Sequence, residues 1–176
     1  MKIEYESRIL EVDNVSVIKK LEELNAKKVG EWNYVRYVYD TKPVNENKWI
    51  RLRTNGISTT LTYKEFNDAT IDGTNELEIE VSDIEKTKEM LEILGYKYRS
   101  IQENKRIRYI LNDVEIDIDS WPGIPSYIEV EGKNEKEVNE TINLLKTFGK
   151  EVTSLDVEGI YLKYGYKKED LNYLKF

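Results

Sequence analysis

Asp119-Ser-Trp-Pro-Gly-Ile-Pro-Ser-Tyr-Ile-Glu-Val-Glu131 is the stretch on which the fold turns. It closes one extended run on an acid, turns through Pro122-Gly123, and opens a second run with glutamates two apart. Residues i and i+2 of a strand point to the same face. Glu129 and Glu131 therefore share one face, and Ile128 and Val130 the other. The run before the turn has the same design: Glu115, Asp117 and Asp119 oppose Val114, Ile116 and Ile118. So does the start of the chain, where Glu4, Glu6 and Arg8 lie on one face of the strand predicted from Lys2 to Leu10. Carboxylate pairs at strand spacing, far apart in the chain, suggest a meeting in space around a hard divalent cation, which takes oxygen ligands.

The same alternation recurs along the chain. Arg51 and Arg53 oppose Ile50 and Leu52, and Asn55-Gly56 fits a tight hairpin turn into a strand that carries Lys64. Glu76, Glu78 and Glu80 oppose Leu77, Ile79 and Val81. Arg106 and Arg108 oppose Ile107 and Tyr109, and Lys105 falls on the apolar side. Amphipathic helices are predicted from Asn14, as N-cap, to about residue 25, from Ser82 or Asp83 to about Leu94, and from about Asn134 to Phe148. Residues 154–176, rich in tyrosine, read as a further helix, either docked on the sheet or making a dimer contact. Trp32, Trp49 and Trp121 read as packing residues. Hairpin-like connections dominate, so the sheet is expected to be antiparallel.

Composition narrows the chemistry. A chain of 176 residues fits one domain with a sizeable core. It has no Cys and no His, which removes disulfides, thiol nucleophiles, Cys/His zinc sites and histidine acid–base chemistry. The net charge of −7 argues against a general nucleic-acid binder, which needs a basic footprint. The opening residues are too polar for a secretory signal and no apolar run is long enough to span a bilayer, so a cytoplasmic protein without membrane contact is expected.

The ionic faces are sorted by sign. Like charges two apart on one strand repel, so stability alone gives no reason to cluster them. Closing the sheet supplies a reason. An eight-stranded barrel encloses room for side chains or one small ligand. The predicted architecture is α+β: an eight-stranded antiparallel barrel with a charged interior, its apolar exterior covered by amphipathic helices. Acidic oxygens inside would bind Mg²⁺ or Mn²⁺. Arginine and lysine clusters would bind phosphate oxygens. Together they describe a site for a metal-bound polyphosphate.

At this point the sequence resembles the CYTH superfamily, the triphosphate tunnel metalloenzymes, which includes inorganic triphosphatases, thiamine triphosphatases and class IV adenylate cyclases. The resemblance is carried by Glu4-Tyr-Glu6-Ser-Arg8 against an opening Glu-x-Glu-x-Lys, by Arg51-Leu-Arg53, by Lys64, and by the glutamates from Glu76 to Glu80. It continues through Lys105, Arg106 and Arg108, then Asp119, Pro122-Gly123 and Glu129-Val-Glu131. It covers essentially residues 2–133. It implies that Glu4, Glu6, Glu129 and Glu131, with Asp119, hold Mg²⁺ or Mn²⁺. It implies that Arg8, Arg51, Arg53, Lys64, Arg106 and, as a weaker match, Arg108 grip a triphosphate-containing small molecule. Glu76, Glu78 and Glu80 are left to bind metal, orient water or pair with the arginines. Position 8 departs from the pattern, because Arg keeps its charge and cannot serve as a general base. A lysine contact from the C-terminal region is left open among Lys163, Lys167 and Lys168. The activity expected is metal-dependent triphosphate hydrolysis. The alternatives are conversion of ATP to cyclic AMP and pyrophosphate, and a non-catalytic polyphosphate- or nucleotide-binding module.

Overall fold

The computed structural model describes residues 1–176 and forms a closed antiparallel barrel with helices outside it. Its eight strands are β1 (Lys2–Leu10), β2 (Lys27–Asp40), β3 (Lys48–Thr54), β4 (Thr59–Phe66), β5 (Thr74–Glu80), β6 (Tyr98–Leu111), β7 (Val114–Ser120) and β8 (Tyr127–Gly132). Around the barrel they run β6-β2-β3-β4-β5-β1-β8-β7 and back to β6. Most neighbours are successive hairpins, so short turns set the register. The β6–β7 turn is Asn112-Asp113, both at positive φ (51° and 64°), the pairing a two-residue hairpin with right-handed twist needs. The first strand closes the barrel. Residues 2–4 of β1 pair with β5 and residues 5–9 with β8, so the beginning of the chain bridges its middle and its later part.

Alternation decides the two faces, as the sequence predicts. Ile9, Ile116, Ile118, Ile128 and Val130 point outward and are buried under helices α1 (Asn14–Glu23) and α3 (Glu135–Leu145), which contribute Val17, Leu21, Val138, Ile142 and Leu145. Each such side chain contributes about 2 kcal/mol by leaving water. Helix α2 (Ile84–Ile93) covers β2 and β3 by packing Leu91 on Tyr39 and Leu52. No helix of the chain is long and apolar enough to cross a membrane.

Two local expectations are corrected. Asp13, not Asn14, caps α1: its carboxylate accepts from the Ser16 backbone N–H at 3.0 Å, and a charged acceptor at a helix start also meets the positive end of the helix dipole. The tail is not one helix. Strand β9 (Glu151–Thr153) adds to the far end of β1, helix α4 spans only Val157–Lys163, and a 3-10 turn (Lys168–Asn172) leads into a two-residue strand β10 (Tyr173–Leu174) parallel to β6. Gly165 at φ +87° ends α4, a conformation only glycine adopts freely, and splits the tyrosine-rich stretch. The tail folds as a small second core in which Ile160, Tyr161, Leu171 and Leu174 surround Trp121, Ile124 and Tyr127. Tyr161 and Tyr166 donate their hydroxyls to the carbonyls of Pro122 and Gly123, which docks the tail on the Pro-Gly turn.

Candidate functional site

The barrel interior is a cavity of about 500 Å³ whose walls are largely ionic. Strand register places the ionic residues in rows. Glu6 of β1 stands directly opposite Glu131 of β8, and Glu131 opposite Glu115 of β7. In the next row Arg8 faces Glu129, and Glu129 faces Asp117. Across the barrel Arg51 is opposite Thr62, Thr62 opposite Glu78, and Lys64 opposite Glu76.

On the β1-β8-β7-β6 side the charges satisfy one another. Arg106 donates Nε and Nη2 to the two oxygens of Asp119 at 2.8 and 2.5 Å, reaches Glu129 at 2.9 Å, and meets Asp117 through Nη1 at 2.5 Å. Arg8 donates to Glu129 at 2.9 Å, to Glu6 at 3.0 Å and to the Leu155 carbonyl at 2.8 Å. Arg108 forms a fork on Asp117 at 2.7 and 2.6 Å and pairs with Glu115 at 2.6 Å. Burial pushes the Glu129 carboxyl up, but Arg8, Arg106 and Lys64 outweigh it and hold Glu129 well below the usual carboxylate range. Arg8 and Arg106 gain more from these carboxylates than burial takes away, and stay charged.

The acidic mouth is different. Glu4 is buried, with one cation partner, Lys64 at 2.7 Å. Burial and the neighbouring Glu6 and Glu76 outweigh Lys64 and raise the Glu4 carboxyl to about 7. Glu131 is also raised, by burial first and then by Glu115 and Glu129, against a contact with the exposed Lys2 at 2.8 Å. No three carboxylates converge on one point; Glu4 is drawn to Lys64, Glu6 to Arg8 and Glu131 to Lys2. Glu4, Glu6 and Glu131 all face the cavity, and they are the oxygen donors it offers to a hard divalent cation.

On the β2-β3 wall the cations are in excess. Arg51 reaches Glu78 at 3.2 Å and Glu76 at 3.5 Å. Arg53 has a single carboxylate, Glu78 at 3.9 Å, and lies over the Tyr34 ring at 4.7 Å. Burial, then Arg51 and Arg106, push the Arg53 guanidinium down to about 10.

Of the residues singled out in the sequence, Glu4, Glu6, Arg8, Arg51, Arg53, Lys64, Glu76, Glu78, Arg106, Arg108, Glu129 and Glu131 line this one cavity. Asp119 does not; it is fully buried behind Arg106 and bonded to it and to Asn104. Glu80 lies at the exposed end of β5, opposite Thr60. Lys105 lies outside, over the Phe176 ring at 4.4 Å. Among the tail lysines, Lys168 lines the cavity and pairs with Glu158 at 3.0 Å, while Lys163 pairs with Glu151. Arg36 also lines the cavity, although no row of like charges marks it in the sequence. The signal was present: Arg36 breaks an otherwise apolar and aromatic run, Tyr34-Val35-Arg36-Tyr37-Val38.

An eight-stranded antiparallel tunnel with acidic and basic walls defines a class of fold, and comparison with known proteins gives it a family. The CYTH domain matches residues 2–159, and the chain belongs to that family. The fold is similar to that of a conserved hypothetical protein from Pyrococcus furiosus, with a TM-score of 0.74 and 23% identity over 88% of this chain and 97% of that one. It is similar to the PH1012 protein from Pyrococcus horikoshii OT3, with a TM-score of 0.69 and 24% identity over 98% and 94% of the two chains. It is also similar to HpAC1 from Hippeastrum, for which a dominant triphosphatase activity is described, with a TM-score of 0.64 and 16% identity over 95% and 97%. No curated protein matches the chain.

Proposed function

We propose that the protein is a divalent-metal-dependent triphosphatase that draws an inorganic or organic triphosphate into the tunnel and hydrolyses it. The observation that supports this reading is the asymmetry of the walls. Arg53 faces the cavity with a single carboxylate at 3.9 Å, while Glu4 and Glu131 hold more negative charge than their surroundings favour. A polyanion carrying a divalent cation completes both at once.

Glu4, Glu6 and Glu131 are the residues that would hold Mg²⁺ or Mn²⁺, with Glu129 bound to Arg8 and Arg106 beside them. A cation held there would supply charge neutralisation and polarisation of a phosphoryl oxygen. The chain's own residues do the rest. Arg51, Arg53 and Lys64 bind phosphate oxygens, the arginines through paired N–H donors. Arg8 and Arg106 keep Glu129 ionised and fix its position. Arg8 stays protonated, so it orients and neutralises and takes no proton. Such a site works by placement and electrostatics, which carry most phosphoryl-transfer catalysis.

The test is phosphate release from tripolyphosphate, with ATP in parallel, in Mg²⁺ and in Mn²⁺, on wild type and Glu4→Ala. Release that depends on the metal and is lost in Glu4→Ala is expected. Cyclic AMP formed from ATP without phosphate release would replace hydrolysis by cyclisation. No turnover of either in both metals would sink the enzymatic reading.

A further inference from the structure

Arg36 sits midway along β2, opposite Arg53 of β3 and Gln102 of β6. It is 6% exposed, and its guanidinium lies over the Trp121 ring at 4.4 Å. Its one side-chain hydrogen bond is from Nη2 to Asn104 Oδ1, at 2.5 Å, and Asn104 passes its own amide N–H to Asp119. Every other arginine lining the cavity has a carboxylate within 4.0 Å; Arg36 has none. Its Nε is buried without an acceptor. Three more groups of the cavity wall share that condition: the Arg51 Nε, the Trp121 indole nitrogen, 3% exposed, and the Tyr127 hydroxyl, 1% exposed. All four can donate a hydrogen bond, and what they lack is an acceptor. Burial, then Arg51, Arg53 and Arg106, push the Arg36 guanidinium well below its ordinary value, so the charge is poorly compensated from within the protein.

A buried, unpaired cation is costly unless something compensates it. Asp119 lies one residue beyond, shared through Asn104 and already occupied by the Arg106 fork. The tail closes this end of the cavity with Leu155, Val157, Leu162 and Leu171, and its two carboxylates there are engaged away from Arg36: Asp156 accepts from the Gly159 backbone N–H and Glu158 pairs with Lys168 at 3.0 Å. We propose that Arg36, stacked on Trp121, anchors an anion subsite at the tail-side end of the tunnel and takes one phosphoryl group of a condensed phosphate chain. The subsite rests on the triphosphate reading above, and adds a chain-gripping point separate from the Arg51, Lys64 and Glu4 cluster.

The experiment is calorimetric titration of wild type, Arg36→Gln and Arg36→Lys with sodium tripolyphosphate, in Mg²⁺ and in EDTA, beside thermal unfolding of the ligand-free proteins. Arg36→Gln is expected to lose about tenfold or more in affinity while its ligand-free melting temperature stays level or rises, because an unpaired buried charge has been removed. Arg36→Lys, which keeps the charge, is expected to recover at least half of that loss on a logarithmic scale. A smaller loss in Arg36→Gln, a collapse of its fold, or Arg36→Lys no better than Arg36→Gln would each overturn the subsite. Failure of wild type to bind tripolyphosphate in either condition would instead overturn the triphosphate reading.

Discussion

The two sides of the tunnel use the same residue types to opposite ends. On the β1-β8-β7-β6 side, Arg8, Arg106 and Arg108 meet Glu6, Glu129, Asp117 and Asp119 at 2.5 to 3.0 Å, and most of these groups are buried. On the β2-β3 side, Arg36 has no carboxylate and Arg53 only one, at the edge of contact. The first side is a scaffold whose charges complete one another. The second leaves Arg36 and Arg53 short of counter-charge, and it is the side on which the proposed ligand would act. Counting ion pairs would rank the first side as the functional one; asking which charges lack partners points to the second.

The largest effect expected from breaking this contrast is Arg106→Leu. It strands Asp117, Asp119 and Glu129 in a buried wall, and removal of one partner from such a network costs about 3–5 kcal/mol. Thermal unfolding should show a melting temperature lower by roughly 10 °C. A shift of only a degree or two would mean the paired wall is not the scaffold.

Next is the pH dependence of the metal-free protein. Glu4 is raised from 4.5 to about 7 in the folded state. Between those values the folded state binds more protons than the unfolded one, so stability falls as pH rises through this window. The full span is on the order of 3 kcal/mol. In EDTA, wild type should lose stability from pH 4.5 to 7, Glu4→Gln should lose much less, and Mg²⁺ should offset the loss at pH 7. Parallel curves for the two proteins would remove the argument that Glu4 awaits a cation.

Arg53→Gln sharpens the other side. Tripolyphosphate affinity should fall by about tenfold, with stability changed by less than about 1 kcal/mol, read by calorimetry and thermal unfolding. A stability loss as large as that of Arg106→Leu would erase the distinction between the walls. The smallest expected effect is Tyr166→Phe, which removes the bond to the Gly123 carbonyl and should cost about 1 kcal/mol. A larger loss of triphosphate binding than of stability would give the tail a role in the site.

Much of this was legible in the sequence because a barrel wall obeys a strict period of two. Glu129 and Glu131, or Arg51 and Arg53, declare their common face by spacing alone, and sign-sorted faces declare that they look inward. What the period does not give is which charges neutralise which. The family resemblance groups Asp119 with the glutamates expected to hold metal, yet it lies behind Arg106 because β6 and β7 pair those two residues directly. Arg36 escaped for the converse reason: it stands alone between aromatic residues, and a single charge forms no visible row. The tail is not the single helix expected of residues 154–176, because Gly165 breaks the helix after Lys163 and the aromatic rings serve a compact plug.

The seam formed by β1 also bears on how the chain reaches this state. Residues 2–4 wait for residues 74–76, and residues 5–9 for residues 128–132, before any of them is paired. Until then Glu4 and Glu6 share one face of an open strand, and Lys64, the cation that Glu4 meets in the folded barrel, is not yet beside it. Such long-range closure slows folding, and like-charge repulsion within the open ribbon adds to the barrier. Modest salt, by screening that repulsion, should speed barrel closure even as it weakens capture of the polyanion afterwards, so assembly of the protein and its hold on the ligand respond to ionic strength in opposite directions.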